Sequence, residues 1–359
     1  MGNVYLARLA MVIGGLGSAL LFLQLGIPLP WILGPMLWTA MLKLRYPAQV
    51  FFPRGLRNLF LIPLGYNIGA YVTNEAAREI MHQLPGITLA TFAAIALSVF
   101  LAFLTTRTTG VSYASSVIGN MPGGLTPMML ICENIPGADI GVVAVLQTVR
   151  LMMSIAVVPV LLAYGFGASG QAVAAANLHT VWDFAFSYWQ LALAAVFGAL
   201  LFEFMRFPSS FFVGPIVAAS ALSIYANVPL PAAPVWLVNV AQVTTGLYLG
   251  TFIDPFQLSK NHRLFPVCLL GALMIVAGSL VIGYFLSNLL GFSLATAFLA
   301  CAPGGAAEMS ITGMALGENV PIILAYQLFR LLFLNFVMPL CLKWYFTRPH
   351  GQGPPPLSL

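Results

Sequence analysis

The sequence predicts an all-α integral membrane protein: about ten transmembrane helices in two inverted five-helix repeats, each with a Pro-Gly-Gly re-entrant hairpin. Three observations carry this expectation. The 359 residues are 60% hydrophobic and only 6% charged. A soluble domain carries roughly 25% charged residues, so this chain cannot cover a surface facing water. The second observation is a duplication. Asn120-Met121-Pro122-Gly123-Gly124 returns as Cys301-Ala302-Pro303-Gly304-Gly305. A Gln-x-x-Arg follows each copy, Gln147 with Arg150 and Gln327 with Arg330. The offset is 181 residues for Pro-Gly-Gly and 180 for Gln and Arg. Two structural repeats that each break a helix and bury a cation suit a transporter. The third observation is where the other cations lie.

Apolar runs at 4–24, 30–44, 58–74 and 85–106 open the first half. A broken run at 111–135 and a long one at 139–165 complete it. The second half repeats the order at 186–205, 210–227, 235–253 and 265–290, then a broken run at 293–317 and a long one at 320–346. A full span needs about 20 residues, so the second run of each half has the least secure ends. Pro28 through Gly34-Pro35 matches Pro208 through Gly214-Pro215. Gly65 to Gly69 matches Gly246 to Gly250; both are GxxxG, which lets helices approach closely. The first run, after Arg8, could be a signal peptide. It shows no clear cleavage site and matches the segment around 185–204, so it is expected to be a retained helix. The division expected is a first membrane repeat at 1–165, a polar linker at 166–184 with His179 and Asp183, a second repeat at 185–348, and a Pro/Gly-rich disordered tail at 349–359.

The chain holds 14 Lys and Arg, two of which, Arg150 and Arg330, lie deep inside apolar runs rather than near their ends. If the Pro-Gly-Gly segments cross the membrane, the other twelve split eight to four between its faces. If those segments dip in and return, eleven fall on one face and only Arg78, flanked by Glu75 and Glu79, on the other. The positive-inside rule favours the second arrangement. It makes the halves inverted and puts both termini in the cytoplasm.

The pI near 9.1 reflects these loop cations, not a nucleic-acid surface: there is no basic run and no soluble domain to read DNA. Four scattered cysteines, Cys132, Cys268, Cys301 and Cys341, show no CxxC spacing and read as packing residues. The four histidines, His82, His179, His262 and His350, lie outside the long apolar runs, where no metal-ligand set converges. No base or nucleophile has a partner at one depth, so no enzyme, cofactor or metal site is expected.

Pro lacks an N–H and Gly accepts nearly any backbone angle, so Pro-Gly-Gly stops a helix within the membrane. In hydrocarbon each freed backbone group costs several kcal/mol unless it is buried in protein or lines a wet cavity. A helix resuming after the break presents a positive end suited to an anion. Arg150 and Arg330 lie about 10–11 residues into their runs, roughly 15–17 Å deep at ~1.5 Å per residue. Such a placement costs about 2.5–3.5 kcal/mol. Two roles are open: a structural Arg that ties down the free carbonyls of the broken segment, or a guanidinium that holds an anion bidentately. Glu308 follows the second break where the first copy has Thr126-Pro127; it could pair with an Arg, bind Na⁺ or carry a proton. Glu133, Asp139 and Glu318 are expected to be solvated.

Pro-Gly-Gly, an acidic or amide residue (Asp139, Asn319) and Gln-x-x-Arg in both halves resemble the AbrB-type bacterial membrane protein family, over nearly the whole chain. That family carries labels of gene-expression regulator and ammonia monooxygenase. The chain offers neither a DNA-reading element nor a metal-ligand cluster. The architecture is more loosely similar to the citrate and glutamate sodium symporters. The expectation is a transporter or exporter of a small organic anion in the bacterial inner membrane. Substrate binding falls to Asn120, Pro122, Gly123, Gly124, Gln147, Arg150, Pro303, Gly304, Gly305, Glu308, Gln327 and Arg330. Na⁺ or H⁺ would couple transport. The partners expected are the lipid bilayer, the anion and a second copy of the chain, with no nucleic acid. The alternative is a membrane-embedded ligand sensor that affects gene expression through a partner.

Overall fold

The computed structural model describes residues 2–165, 189–226, 230–253, 256 and 264–347, with side chains for all of these but 2–6, 125–126 and 347. The linker at 166–184, Lys260, His262, Arg263 and the tail at 349–359 lie outside the described residues. Regular structure among the described residues is helical throughout. The first half runs α1 (Gly2–Gln24), α2 (Pro30–Arg45), α3 (Arg54–Gly69), α4 (Asn74–His82), α5 (Leu84–Thr109), α6 (Tyr113–Asn120), α7 (Leu125–Glu133) and α8 (Ile140–Val160), ending in a π-turn at Leu161–Gly165. The second half runs α9 (Trp189–Phe204), α10 (Ser210–Ala226), α11 (Val235–Gly250), α12 (Phe265–Leu290), α13 (Leu294–Cys301), α14 (Ala306–Leu316) and α15 (Val320–Leu332). A π-turn at Phe333–Val337 and α16 (Met338–Thr347) follow.

Among the described residues, five helical stretches are long and apolar enough to cross a membrane: Ala7–Gln24, Leu84–Thr109, Ile140–Gly165, Phe265–Leu290 and Val320–Phe346. Their outward faces carry large exposed apolar side chains such as Leu9, Ile13, Phe100 and Phe285. The chain is a membrane protein. Helices α2, α3 and α11 have 16 residues each, about 24 Å at ~1.5 Å per residue, and α9 and α10 are also short apolar helices.

Two differences from the sequence reading matter. Helix α3 starts at Arg54, not near 58, so Arg54 and Arg57 ride on its first turn. And α4, read as loop, is a helix capped by Thr73 Oγ1, which accepts from the Ala76 N–H; Glu75, Arg78 and Glu79 on it are exposed.

Glycines bring the halves together reciprocally. Helix α3 packs on α10 and α2 on α11. A Cβ at Gly65 would meet the Phe212 carbonyl at 2.5 Å, and one at Gly69 the Ile216 carbonyl at 2.5 Å. Likewise a Cβ at Gly246 would meet the Ile32 carbonyl at 2.4 Å, and one at Gly250 the Met36 carbonyl at 2.5 Å. Both GxxxG motifs thus press on the backbone of the opposite half, at positions 180 residues apart. The turns before α2 and α10 also match. Gly26 and Arg206 have φ of 68° and 54°, and Leu29 and Ser209 have φ of 52° and 56°. A non-glycine residue in this region costs of order 1–3 kcal/mol, so surrounding packing fixes the turn.

Each Pro-Gly-Gly separates two short helices. Met121 and Gly124 bracket the first break with ψ of 132° and 141°. Ala302 and Gly305 bracket the second with ψ of 139° and 153°. Gly124 and Gly305 have φ of −69° and −74°, open to any L-residue. Their conformational freedom, expected to matter, is not used. The two ends of each broken segment meet. The Asp139 N–H donates to Ser115 Oγ at 2.7 Å, and the Asn319 N–H donates to Thr296 Oγ1 at 3.2 Å.

Candidate functional site

A helix that stops leaves its last carbonyls unpaired. In this protein the following long helix supplies the donors. Gln147 Nε2 donates to the carbonyls of Ile118 at 2.8 Å and Met121 at 3.0 Å. Arg150 donates from Nη1 to the Met121 carbonyl and, at 3.4 Å, to that of Asn120. From Nη2 it reaches the Gly123 carbonyl at 3.3 Å and Gln147 Oε1 at 2.8 Å. The second copy repeats this. Gln327 Nε2 donates to Leu299 at 2.7 Å and Ala302 at 3.0 Å. Arg330 donates to Cys301 at 2.9 Å, to Ala302 at 2.8 Å and to Gln327 Oε1. A guanidinium at a helix C-terminus also meets the negative end of the helix dipole. Both arginines are 4% exposed. Pro-Gly-Gly and Gln-x-x-Arg are therefore one structural unit: the first frees the carbonyls and the second pairs them.

The two units face one cavity of about 570 Å³. Pro122, Gly123, Gly124, Gln147 and Arg150 line it from the first half, and Pro303, Gly304, Gly305, Glu308, Gln327 and Arg330 from the second. Asn120 is the exception among the expected site residues. It is buried, and its amide donates to the Ser116 carbonyl at 2.9 Å, within its own helix. The bidentate fork expected of Arg150 and Arg330 is turned on backbone carbonyls, so toward a ligand they offer charge more than free N–H groups. Glu308, 5% exposed, sits on the first turn of α14; a Cβ at Gly305 would come 1.8 Å from its Oε2. An alanine at 305 would push this carboxylate aside. Glu133 and Asp139 are exposed as expected. Glu318 is not: it is half-buried and accepts from Thr296 Oγ1 at 2.7 Å and from Ser293 Oγ.

The cavity also holds residues that the sequence reading missed: Arg54, Arg57, Asn58, Glu203, Tyr248, Phe252 and Asn335. Arg54 and Arg57 had been assigned to a loop. The Arg57 guanidinium lies over the Tyr248 ring, 5.0 Å from its centroid. One signal could have found them. At the matching positions, 181 residues on, the second half has Val235 and Val238, and this is the same asymmetry that singled out Glu308. Among the described residues, four arginines and two glutamates line the cavity, a formal surplus of positive charge.

The model of the family described as "Transition state regulatory protein AbrB" matches residues 31–346. The chain belongs to the AbrB family. The matched stretch takes in α2 through α15 and so both Pro-Gly-Gly units. A relative in Bacillus subtilis (strain 168), "Uncharacterized protein YhjN", is 23% identical over 333 residues, covering 88% of this chain and 86% of the relative. "Putative regulator AbrB" of Escherichia coli (strain K12) is 23% identical over 312 residues, covering 86% and 88%. Both likenesses run nearly end to end.

Proposed function

We propose that the protein is a secondary transporter of a small organic anion, bound between two broken helices in a bacterial inner membrane, and not an enzyme. The observation that carries this reading is the single cavity lined by both Pro-Gly-Gly units, with arginines in surplus over glutamates. Irregular backbone at membrane depth is tolerated where it lines such a cavity.

The finer topology is part of the proposal. The hydrogen bonds that join the ends of each broken segment support re-entrant hairpins. Each half then has five crossings, ten in all, and the halves are inverted. The reciprocal GxxxG contacts support a pseudo-two-fold relation between them. The Asn319 amide reaches Glu79 at 3.3 Å, which groups the base of the second hairpin with α4. That agrees with placing Arg78 and the second hairpin's base on the periplasmic face. Arg54, Glu203 and Ser209 are exposed cavity residues. They mark a mouth on the face that carries most of the loop cations, the cytoplasmic one, with both termini there too. Glu308 stands where a coupling H⁺ or Na⁺ would act.

The names of the family and of the Escherichia coli relative favour a second reading, a ligand sensor. Two-sided accessibility separates them. A cysteine replacing Thr148 in the cavity, with Cys341 changed to Ser, should react with an impermeant thiol reagent from both membrane faces if the cavity opens alternately. Reaction from one face alone, with and without anions, supports the sensor.

A further inference from the structure

Three features run in line from the cavity wall. The Arg57 guanidinium lies over Tyr248, 5.0 Å from the ring centroid. Tyr248 meets Phe252 edge-on, with centroids 4.9 Å apart. Phe252 and Thr148 border both the central cavity and a second, apolar pocket of about 190 Å³. Met152, Phe265 and Leu269 line that second pocket. The wall therefore grades from cationic through aromatic to apolar.

Among the described residues no backbone carbonyl takes the Arg57 guanidinium, whereas those of Arg150 and Arg330 are turned on carbonyls. Arg57 Nε, like Arg150 Nε, is buried with no hydrogen-bond partner among the described residues. Its Nη1 reaches Asn58 Oδ1 at only 3.5 Å, the outer limit of a hydrogen bond. Glu308 and Arg54 are its charged neighbours. A guanidinium stacked on an aromatic ring keeps its N–H edge free for a planar, bidentate acceptor. Among the described residues, no charged side chain lines the apolar end. A compact polyanion would leave Phe252 and the apolar pocket unused, whereas a carboxylate joined to an apolar or aromatic body would meet each part of the wall with matching chemistry.

We infer that Arg57, seated on Tyr248, receives the head of an amphipathic organic monoanion whose apolar body lies along Phe252 toward the pocket beside Thr148. This rests on the transporter reading of the cavity and narrows its substrate to carboxylates or sulfonates with one charge and a hydrophobic body. Arg150 and Arg330 then hold the breaks in shape and add field, while Arg57 makes the contact that selects the head group.

The test is binding to the purified full chain in detergent, by calorimetry, with four probes: 3-phenylpropanoate, propanoate, citrate and inorganic phosphate. The wild-type protein should bind 3-phenylpropanoate saturably and at least tenfold more tightly than propanoate. Arg57→Gln should weaken both at least tenfold, and Arg57→Lys should weaken them as well. Phe252→Ala should erase the preference for the phenyl compound while propanoate binding persists. Melting curves check that each variant is folded; if Arg57→Gln is not, Arg57→Lys and Tyr248→Leu carry the test. Unchanged affinity in a folded Arg57 variant would overturn the inference and leave the wider anion reading standing. So would tighter binding of citrate or phosphate than of 3-phenylpropanoate. Failure of the folded wild-type protein to bind any of the four would overturn both.

Discussion

Arg330 Nη2 donates to the carbonyl oxygen of Ala302 at 2.8 Å, joining a long helix to the broken end of a short one 28 residues earlier. Its counterpart joins Arg150 to Met121. A hydrogen bond from a charged group contributes about 1.5–3 kcal/mol, and a buried acceptor left unpaired costs a similar amount. Arg150→Lys and Arg330→Lys keep the charge but lose the planar fork. Each should lower stability by about 2–3 kcal/mol, seen as a lower melting temperature in detergent. The two Ala variants should be worse. A melting temperature unchanged in both Lys variants would release these arginines from the structural role and return them to direct ligand binding.

Close packing between the halves predicts matched damage. Gly65→Leu and Gly246→Leu both drive a side chain into a carbonyl of the opposite half, and both should abolish stable folding. Gly271→Ala is the control, since nothing lies within 4 Å of its Cβ position. Replacing a helical glycine there should be neutral or stabilising by up to about 1 kcal/mol. Thermal unfolding followed by fluorescence measures all three.

The breaks should respond unequally to alanine. Among the described side chains, a Cβ at Gly124 meets Pro127 at 3.3 Å, whereas one at Gly305 displaces the Glu308 carboxylate. Gly124→Ala should melt within about 0.5 kcal/mol of wild type, the usual range for a benign substitution. Gly305→Ala should alter anion binding while the protein still folds. Equal effects at the two sites would contradict a special role for Glu308.

Much of this was legible in the sequence, for identifiable reasons. Pro122 and Pro303 are each followed by two glycines, and the three together stop a helix where the lone Pro35, Pro63, Pro159 and Pro215 do not, so both interruptions could be placed from the chain alone. Gln147 with Arg150 and Gln327 with Arg330 could be placed too, because polar groups so deep in apolar runs need a partner. What they pair with was open, since freed carbonyls and a bound anion both satisfy a guanidinium; the geometry shows carbonyls. Arg57 was legible as a cavity residue only through its mismatch with Val238 in the second half. It precedes the apolar run, and only the earlier start of α3 and its stacking on Tyr248, far along the chain, turn it inward. Helix α4 was missed because it is polar and exposed, with local capping at Thr73 and no apolar run to reveal it.

Topology has its own test. Single cysteines at 139 and 318 stand at the bases of the two broken segments. In intact cells and inverted vesicles they should label from opposite faces, the first cytoplasmic and the second periplasmic. A cysteine at 112 should label with 139. Labelling of 139 and 318 from one face would put the halves in parallel.

The most direct measurement is flux. An anion that raises the melting temperature of the purified protein is loaded into proteoliposomes, and its exchange against external labelled anion is followed beside protein-free liposomes. Transport predicts saturable exchange that depends on the protein and is slowed by unlabelled competitor. Saturable binding with exchange no faster than in protein-free liposomes would contradict it.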